Sequence, residues 1–217
     1  MWILPSLGRP EKLKKLSEKF PDSELHVYLH EDDEKLEDYR SIPFTKGWTI
    51  HIGPRRNLCD TLNWCLESYP NALSYGLMAD DVIPSPSDWQ VQLEVAAGLD
   101  YVAYPDDLLH GPDLCTHHCI GGNLMRAVGY WAVPGLKHSF LDTAWYQLAG
   151  ATGRLRYLPY IQFDHQHPYA GKGEMDATYE IGAGYYEEDM QVFQEWQYDG
   201  FEEAADRIAM AREDSRL

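Results

Sequence analysis

Two hydrophobic periods alternate along the first hundred residues. Met1–Leu4 is an apolar run stopped by Pro5, which reads as a strand and turn. Pro10 then suits the first position of a helix, and Leu13, Leu16 and Phe20 give that helix one apolar stripe. Leu25, Val27 and Leu29 alternate with His26, Tyr28 and His30, the period-2 signature of a strand. The acidic patch Glu31–Glu34 predicts the opening of a second short helix. Trp48–Ile52 reads as a third strand, and Leu58, Leu62, Cys65, Leu66 and Tyr69 mark one face of the helix after it. A further apolar run, from Tyr75, ends in Asp80-Asp81 and a proline turn. Trp89–Ala97 reads as a helix and Leu99–Tyr104 as a fifth strand. This alternation predicts an α/β fold, a mostly parallel doubly wound sheet with helices on both faces.

The second half is less regular. Pro105–Gly122 reads as a long polar loop, Asn123–Val133 as strand-like, Leu141–Ala149 as a helix closed by Gly150, and Arg156–Phe163 as a strand. The stretch 169–184 is glycine-rich and predicts a mobile segment. Beyond it lies a helical tail in which Met190, Phe193, Trp196 and Tyr198 supply a partly apolar face. The division implied is a domain over 1–184, with a nucleotide-binding half (1–100) and an acceptor and metal half (101–184), followed by an acidic helical tail over 185–217.

With 217 residues, 44% hydrophobic and 24% charged, the chain is of ordinary globular composition. The net charge of −17 is not ordinary; ten acids and three bases fall between Glu187 and Leu217. Such a surface repels phosphate backbones, which disfavours nucleic acid as a partner. No apolar run approaches membrane-spanning length and no signal-peptide pattern is present, so the expectation is a cytoplasmic protein with Cys59, Cys65, Cys115 and Cys119 reduced.

Chemistry concentrates where predicted strands end. Adjacent carboxylates such as Asp80 and Asp81 repel unless a cation or a hydrogen-bonding ligand lies between them. A divalent metal carrying a phosphorylated substrate is the simplest occupant. His165 and His167 follow another strand, and one imidazole beside those carboxylates makes a mixed N/O site suited to manganese or magnesium-like ions. Ser6-Leu7-Gly8-Arg9 is a tight turn at the same edge of the sheet; it has neither dinucleotide nor Walker spacing. Arg55-Arg56 before Asn57 combines cations with a helix N-terminus, an anion-binding pairing. Asp142, at a predicted helix start, is placed to accept a proton from an attacking hydroxyl. Lys172, between two glycines, would fold over a diphosphate. Cys115-Thr116-His117-His118-Cys119 is too loosely spaced for zinc and has no second ligand pair, so that loop is read as shaping an acceptor pocket.

Together, Leu4-Pro5-Ser6-Leu7-Gly8-Arg9-Pro10, the Arg56-Asn57 helix start, Met78-Ala79-Asp80-Asp81, Phe140-Leu141-Asp142 and His165-Gln166-His167-Pro168 resemble a GT-A-fold, nucleotide-sugar-dependent glycosyltransferase. The match is to the small family 2-like type found in bacteria and their viruses, and it spans roughly residues 1–172. The resemblance implies that Pro5, Ser6, Gly8, Arg9, Arg56, Asn57, Asp80 and Lys172 hold a nucleoside-diphosphate sugar, with uridine as the base. It implies a metal on Asp80 or Asp81 completed by His165 or His167, and Asp142 as the base of an inverting reaction. The family's DxD motif is departed from, because Met78 stands where its first carboxylate would be. A nucleotidyltransferase, or a module that binds nucleotide-sugars without turnover, is the competing reading. The acceptor hydroxyl is left open between a glycan, a small molecule, a protein and a hydroxymethylated DNA base, and the oligomeric state is open too.

Overall fold

The computed structural model describes residues 1–166, 168, 171–173 and 175–214. Its centre is one eight-stranded sheet. The strands are β1 (Trp2–Pro5), β2 (Leu25–His30), β3 (Trp48–Gly53), β4 (Ser74–Leu77), β5 (Val82–Ser85), β6 (Val102–Asp106), β7 (Cys119–Gly121) and β8 (Leu155–His165). Their order is β3-β2-β1-β4-β7-β6-β8-β5. The β3-β2-β1-β4 half is parallel throughout, as is the β6–β8 pair, while β7 runs antiparallel to both neighbours and β5 antiparallel to β8.

An apolar cluster lies on each face of the sheet, and the side chains of β1 show it directly. Trp2 and Leu4 pack into one apolar cluster, with residues of α1 (Pro10–Lys19), α2 (Leu36–Arg40) and α4 (Trp89–Ala97). Ile3, between them, packs into the other, with α3 (Leu58–Ser68), α5 (Gly122–Val128), α6 (Leu141–Ala151), α8 (Tyr186–Asp199) and α9 (Phe201–Asp214). Burial on both sides is why β1 and β4 read as continuous apolar runs. The tail helices lie within the second cluster: Phe193, Trp196, Ala204 and Ile208 share it with Trp131 and Trp145.

Several elements differ from the sequence expectations. Glu31–Glu34 forms a turn, and the helix begins only at Leu36, where Leu36 and Tyr39 can be buried. Val82–Ser85 is a strand, not a proline turn; its Pro84 is tolerated because β5 lies at the sheet edge. The 105–122 stretch contains a short 3-10 turn, Gly111–Asp113, and the buried strand β7, whose three residues are too few to show a period. Residues 122–128 are helical. Leu124, Met125 and Val128 form the buried face, and Gly129 at φ 87° ends the helix in the left-handed conformation. α6 runs through Gly150 to Ala151. Within the glycine-rich stretch, Ala177–Gly184 is a helix, α7. Tyr198 is 91% exposed and contributes nothing to the apolar face of α8.

Candidate active site

The carboxyl ends of β1 and β4 open into a cavity of about 740 Å³, the edge at which ligands bind in α/β sheets. Its walls include the loop after β1, the start of α3, the end of β4 with Asp80 and Asp81, residues 116–118, residues 137–142 leading into α6, His165 and α7.

The loop after β1 is built around Asp80. Gly8 turns the chain at φ 66°. The Ser6 hydroxyl donates to Asp80 Oδ2 at 2.6 Å and lies 2.8 Å from the Tyr39 hydroxyl, which also accepts the Arg9 amide at 2.7 Å. The buried Arg9 guanidinium then joins three carboxylates. Its Nη1 donates to Asp80 Oδ1 at 3.1 Å and lies 3.5 Å from Asp81 Oδ2, while Nε and Nη2 make a bidentate pair with Asp176 at 2.8 and 2.6 Å. Burial opposes its charge, but the Asp176 hydrogen bonds and the three carboxylates more than offset that and hold it protonated. The cation that the adjacent acids require is therefore supplied, for Asp80, by the chain itself.

Asp80 and Asp81 differ sharply. Burial pushes Asp80 up to about 6, against the pull of Arg9. Asp81 is also penalised by burial, yet the Tyr179 hydroxyl that donates to its Oδ2, together with His165 and Arg9, brings it below the usual carboxylate range. Its Oδ1 lies 3.7 Å from His165 Nε2. Burial lowers the pKa of His165 and keeps its ring neutral at pH 7 in spite of Asp81. The His117 ring lies 5.1 Å from that of His165, and burial takes His117 down to about 3. His167 lies outside the described residues.

α7 closes over this group. Asp176 caps its N-terminus by accepting the Thr178 and Tyr179 amides, Thr178 donates to the Leu7 carbonyl at 3.0 Å, and Arg9 stacks 4.4 Å from the centre of the Tyr179 ring. Asp176 and Tyr179 escaped the sequence reading. The signal for them was an Asp directly before Ala177-Thr178-Tyr179, an N-cap pattern hidden by the surrounding glycines.

At the far end, Asp142 lies in the first turn of α6 and lines the cavity. Burial raises its pKa, while the Thr143 amide, donating at 2.8 Å, restrains the rise. The loop before it is held from the tail: the fully buried Asp189 of α8 accepts the amides of Lys137, His138 and Ser139 at 2.8, 2.9 and 2.7 Å. Nothing in the sequence pattern marks Asp189 among the other tail acids. Asp107, equally buried, orders the neighbouring loop through the amides of residues 109–111, the Thr116 hydroxyl and the His110 ring.

Pro5, Ser6, Arg9, Arg56, Asn57, Asp80, Asp81, Asp142 and His165 all line the one cavity. Asn57 does so as the cap of α3, its side chain committed to Asp60. Gly8 sits behind it, with its amide on Asp33. Lys172 is not part of the cavity wall; it pairs with Asp164 at 2.6 Å. Among the described residues, no metal-holding group forms around Cys115 and Cys119. Both thiols are buried, and His118 is satisfied by the Cys115 carbonyl and the Trp131 indole.

Among the described residues, no group of three or more His, Cys, Asp and Glu side chains is arranged to hold a metal ion. Asp80 is spent on Arg9 and Ser6. Among the described residues, Asp81 Oδ1 and His165 Nε2 lie 3.7 Å apart on the cavity wall. A hard divalent ion that travels with a diphosphate takes one or two protein groups and fills its remaining positions with phosphate and water, so this pair is chemically suited to it. It is not suited to a closed structural site.

No family model and no curated protein matches the chain. Solved structures do. The chain is similar to the mannosyltransferase PcManGT from Pyrobaculum calidifontis in complex with GDP-Man and Mn2+, with a TM-score of 0.57 at 10% identity over 97% of this chain and 72% of that one. It is also similar to HddC from Yersinia pseudotuberculosis complexed with GMP-PN, with a TM-score of 0.50 at 10% identity over 85% of this chain and 98% of that one. At such identities the likeness speaks for architecture alone, and that architecture is a GT-A-like α/β fold.

Proposed function

We propose that the protein is a metal-dependent glycosyltransferase that moves a sugar from a nucleoside diphosphate to an acceptor hydroxyl. One observation carries the reading: Asp81 Oδ1 and His165 Nε2 lie 3.7 Å apart where β4 ends, inside a cavity lined also by Asp142, a half-buried carboxylate of raised pKa. Arg56 adds positive charge to its walls, and Arg55 and Lys137 line it as partners of Asp32 and Glu188. That combination suits a donor with a charged leaving group and an acceptor that must lose a proton.

In this reading Ser6 and Arg56 bind the nucleotide half, and Asp81 and His165 hold Mn2+ or Mg2+. The ion, when bound, neutralises charge on the departing diphosphate. Arg9 works differently, keeping Asp80 and Asp81 side by side and tying both to α7. Asp142 takes the proton of the acceptor hydroxyl as that oxygen attacks the anomeric carbon and the diphosphate leaves, so both bond changes balance. Burial suits Asp142 to the role because a raised pKa makes a stronger base.

Uridine is the base implied by the sequence resemblance. The PcManGT structure holds GDP-Man, so both bases belong in the test. The experiment is incubation with UDP- and GDP-sugars and Mn2+ or Mg2+, reading nucleoside diphosphate release. Asp81→Asn should abolish the metal-dependent part. Release of pyrophosphate from a nucleoside triphosphate and a sugar phosphate would point to nucleotidyl transfer instead. Tight binding without release would mark a binding module.

A further inference from the structure

We infer that His117 is the residue that engages the hydroxyl groups of the donor's sugar, an inference that rests on the function proposed above. Two independent costs meet at this residue. Its backbone sits at φ 49°, a left-handed conformation unfavourable to any side chain with a Cβ. Its ring is buried, with the residue 9% exposed, and neither ring nitrogen has a hydrogen-bond partner among the described residues. Unpaired nitrogens in the interior are destabilising, and strain that persists at a cavity wall points to a ligand that relieves it.

Its neighbour shows what a structural histidine looks like in the same loop. His118 is fully buried too, but its Nδ1 donates to the Cys115 carbonyl at 2.8 Å and its Nε2 accepts the Trp131 indole N–H at 3.3 Å. Among the described residues, the His117 ring lies tilted against Phe163 and edge-on to His165, and it lines the cavity.

Position selects the ligand. β7 pairs directly with β4, so the residue leading into β7 lies about one strand spacing, roughly 4.8 Å, along the sheet from the strand that delivers Asp81. The nucleotide-side residues lie toward β1, in the opposite direction. β7 lies between β4 and β8, so His117 stands beside both Asp81 and His165, on the side away from β1; a donor whose nucleotide lies toward β1 and whose diphosphate is held at Asp81 extends its sugar across that side. A sugar hydroxyl both donates and accepts, and a neutral imidazole offers one N–H and one lone pair.

The test compares wild type, His117→Gly and His117→Asn by thermal unfolding and by calorimetric titration in Mn2+ with UDP, GDP, UDP-glucose and GDP-mannose. Gly removes strain and unpaired nitrogens together; Asn tolerates the left-handed backbone and keeps the site measurable should Gly fail to fold. The expected result is an unfolding temperature at or above wild type in one or both variants. The preferred nucleotide-sugar should lose at least tenfold in affinity, while its nucleoside diphosphate stays within twofold. Equal losses for diphosphate and nucleotide-sugar would overturn the inference and make His117 a metal or phosphate group. Unchanged affinities, or unfolding several degrees lower in both variants, would overturn it in favour of a core histidine. Wild type that binds diphosphates but neither sugar overturns it as well, whereas wild type that binds no nucleotide at all removes the functional proposal beneath it.

Discussion

Asp80→Asn should make the protein more stable. Burial places Asp80 at about 6 against an ordinary value of 3.8, a displacement equivalent to about 3 kcal/mol in favour of the neutral form. Because the folded value lies above the unfolded one, the folded protein binds more protons across pH 4 to 6. Stability on Asp80's account therefore falls as pH rises through that window, and the cost is complete above it. Asparagine keeps the acceptor for Arg9 and can reorient its amide toward Ser6, so most of that cost is removed. The gain should be about 3 kcal/mol at pH 7.5 and roughly half of that at pH 5. His117, His118 and His165, all lowered by burial, push the other way over the same range, since each is neutral when folded and protonated when unfolded. The informative quantity is consequently the difference between variant and wild type, from urea denaturation at each pH. A variant less stable than wild type at pH 7.5, or a difference that does not grow with pH, would refute the view that Asp80 is held at a cost to the fold.

Three further outcomes follow from the same geometry. Arg9→Met strands Asp80 and Asp81 without their cation and should cost about 3–5 kcal/mol, read as a lower denaturation midpoint at neutral pH, with less loss at pH 5 where Asp80 protonates. Asp142→Asn should lower kcat about 10²–10⁴-fold while leaving metal-dependent nucleotide affinity unchanged; an equal loss of binding would remove it as the base. Asp189→Ala leaves three backbone amides without their acceptor and should cost about 3–5 kcal/mol, with faster hydrogen exchange confined first to residues 137–142.

The four-strand parallel half of the sheet was legible because β1, β2 and β4 are buried on both faces, the edge strand β3 keeps an alternating pattern, and the helices carry apolar stripes. That constraint is local enough to be written in consecutive residues, and it also marked the ends of β1 and β4, where Ser6, Arg9, Asp80 and Asp81 meet. β5, β7 and α5 were not legible. β5 is masked by Pro84, which reads as a turn, while β7 and α5 have three and seven residues, too few for a period to emerge. The same divide runs through the candidate site. An acidic pair at a strand end announces that something positive must stand beside it, and sequence alone determined that much. That Arg9 fills the place for Asp80, that Asp176 and Tyr179 bring α7 down upon it, and that Asp189 braces the wall from the tail were decided only in three dimensions. Charge compensation depends on distance through space, and these partners lie between 50 and 167 positions apart along the chain.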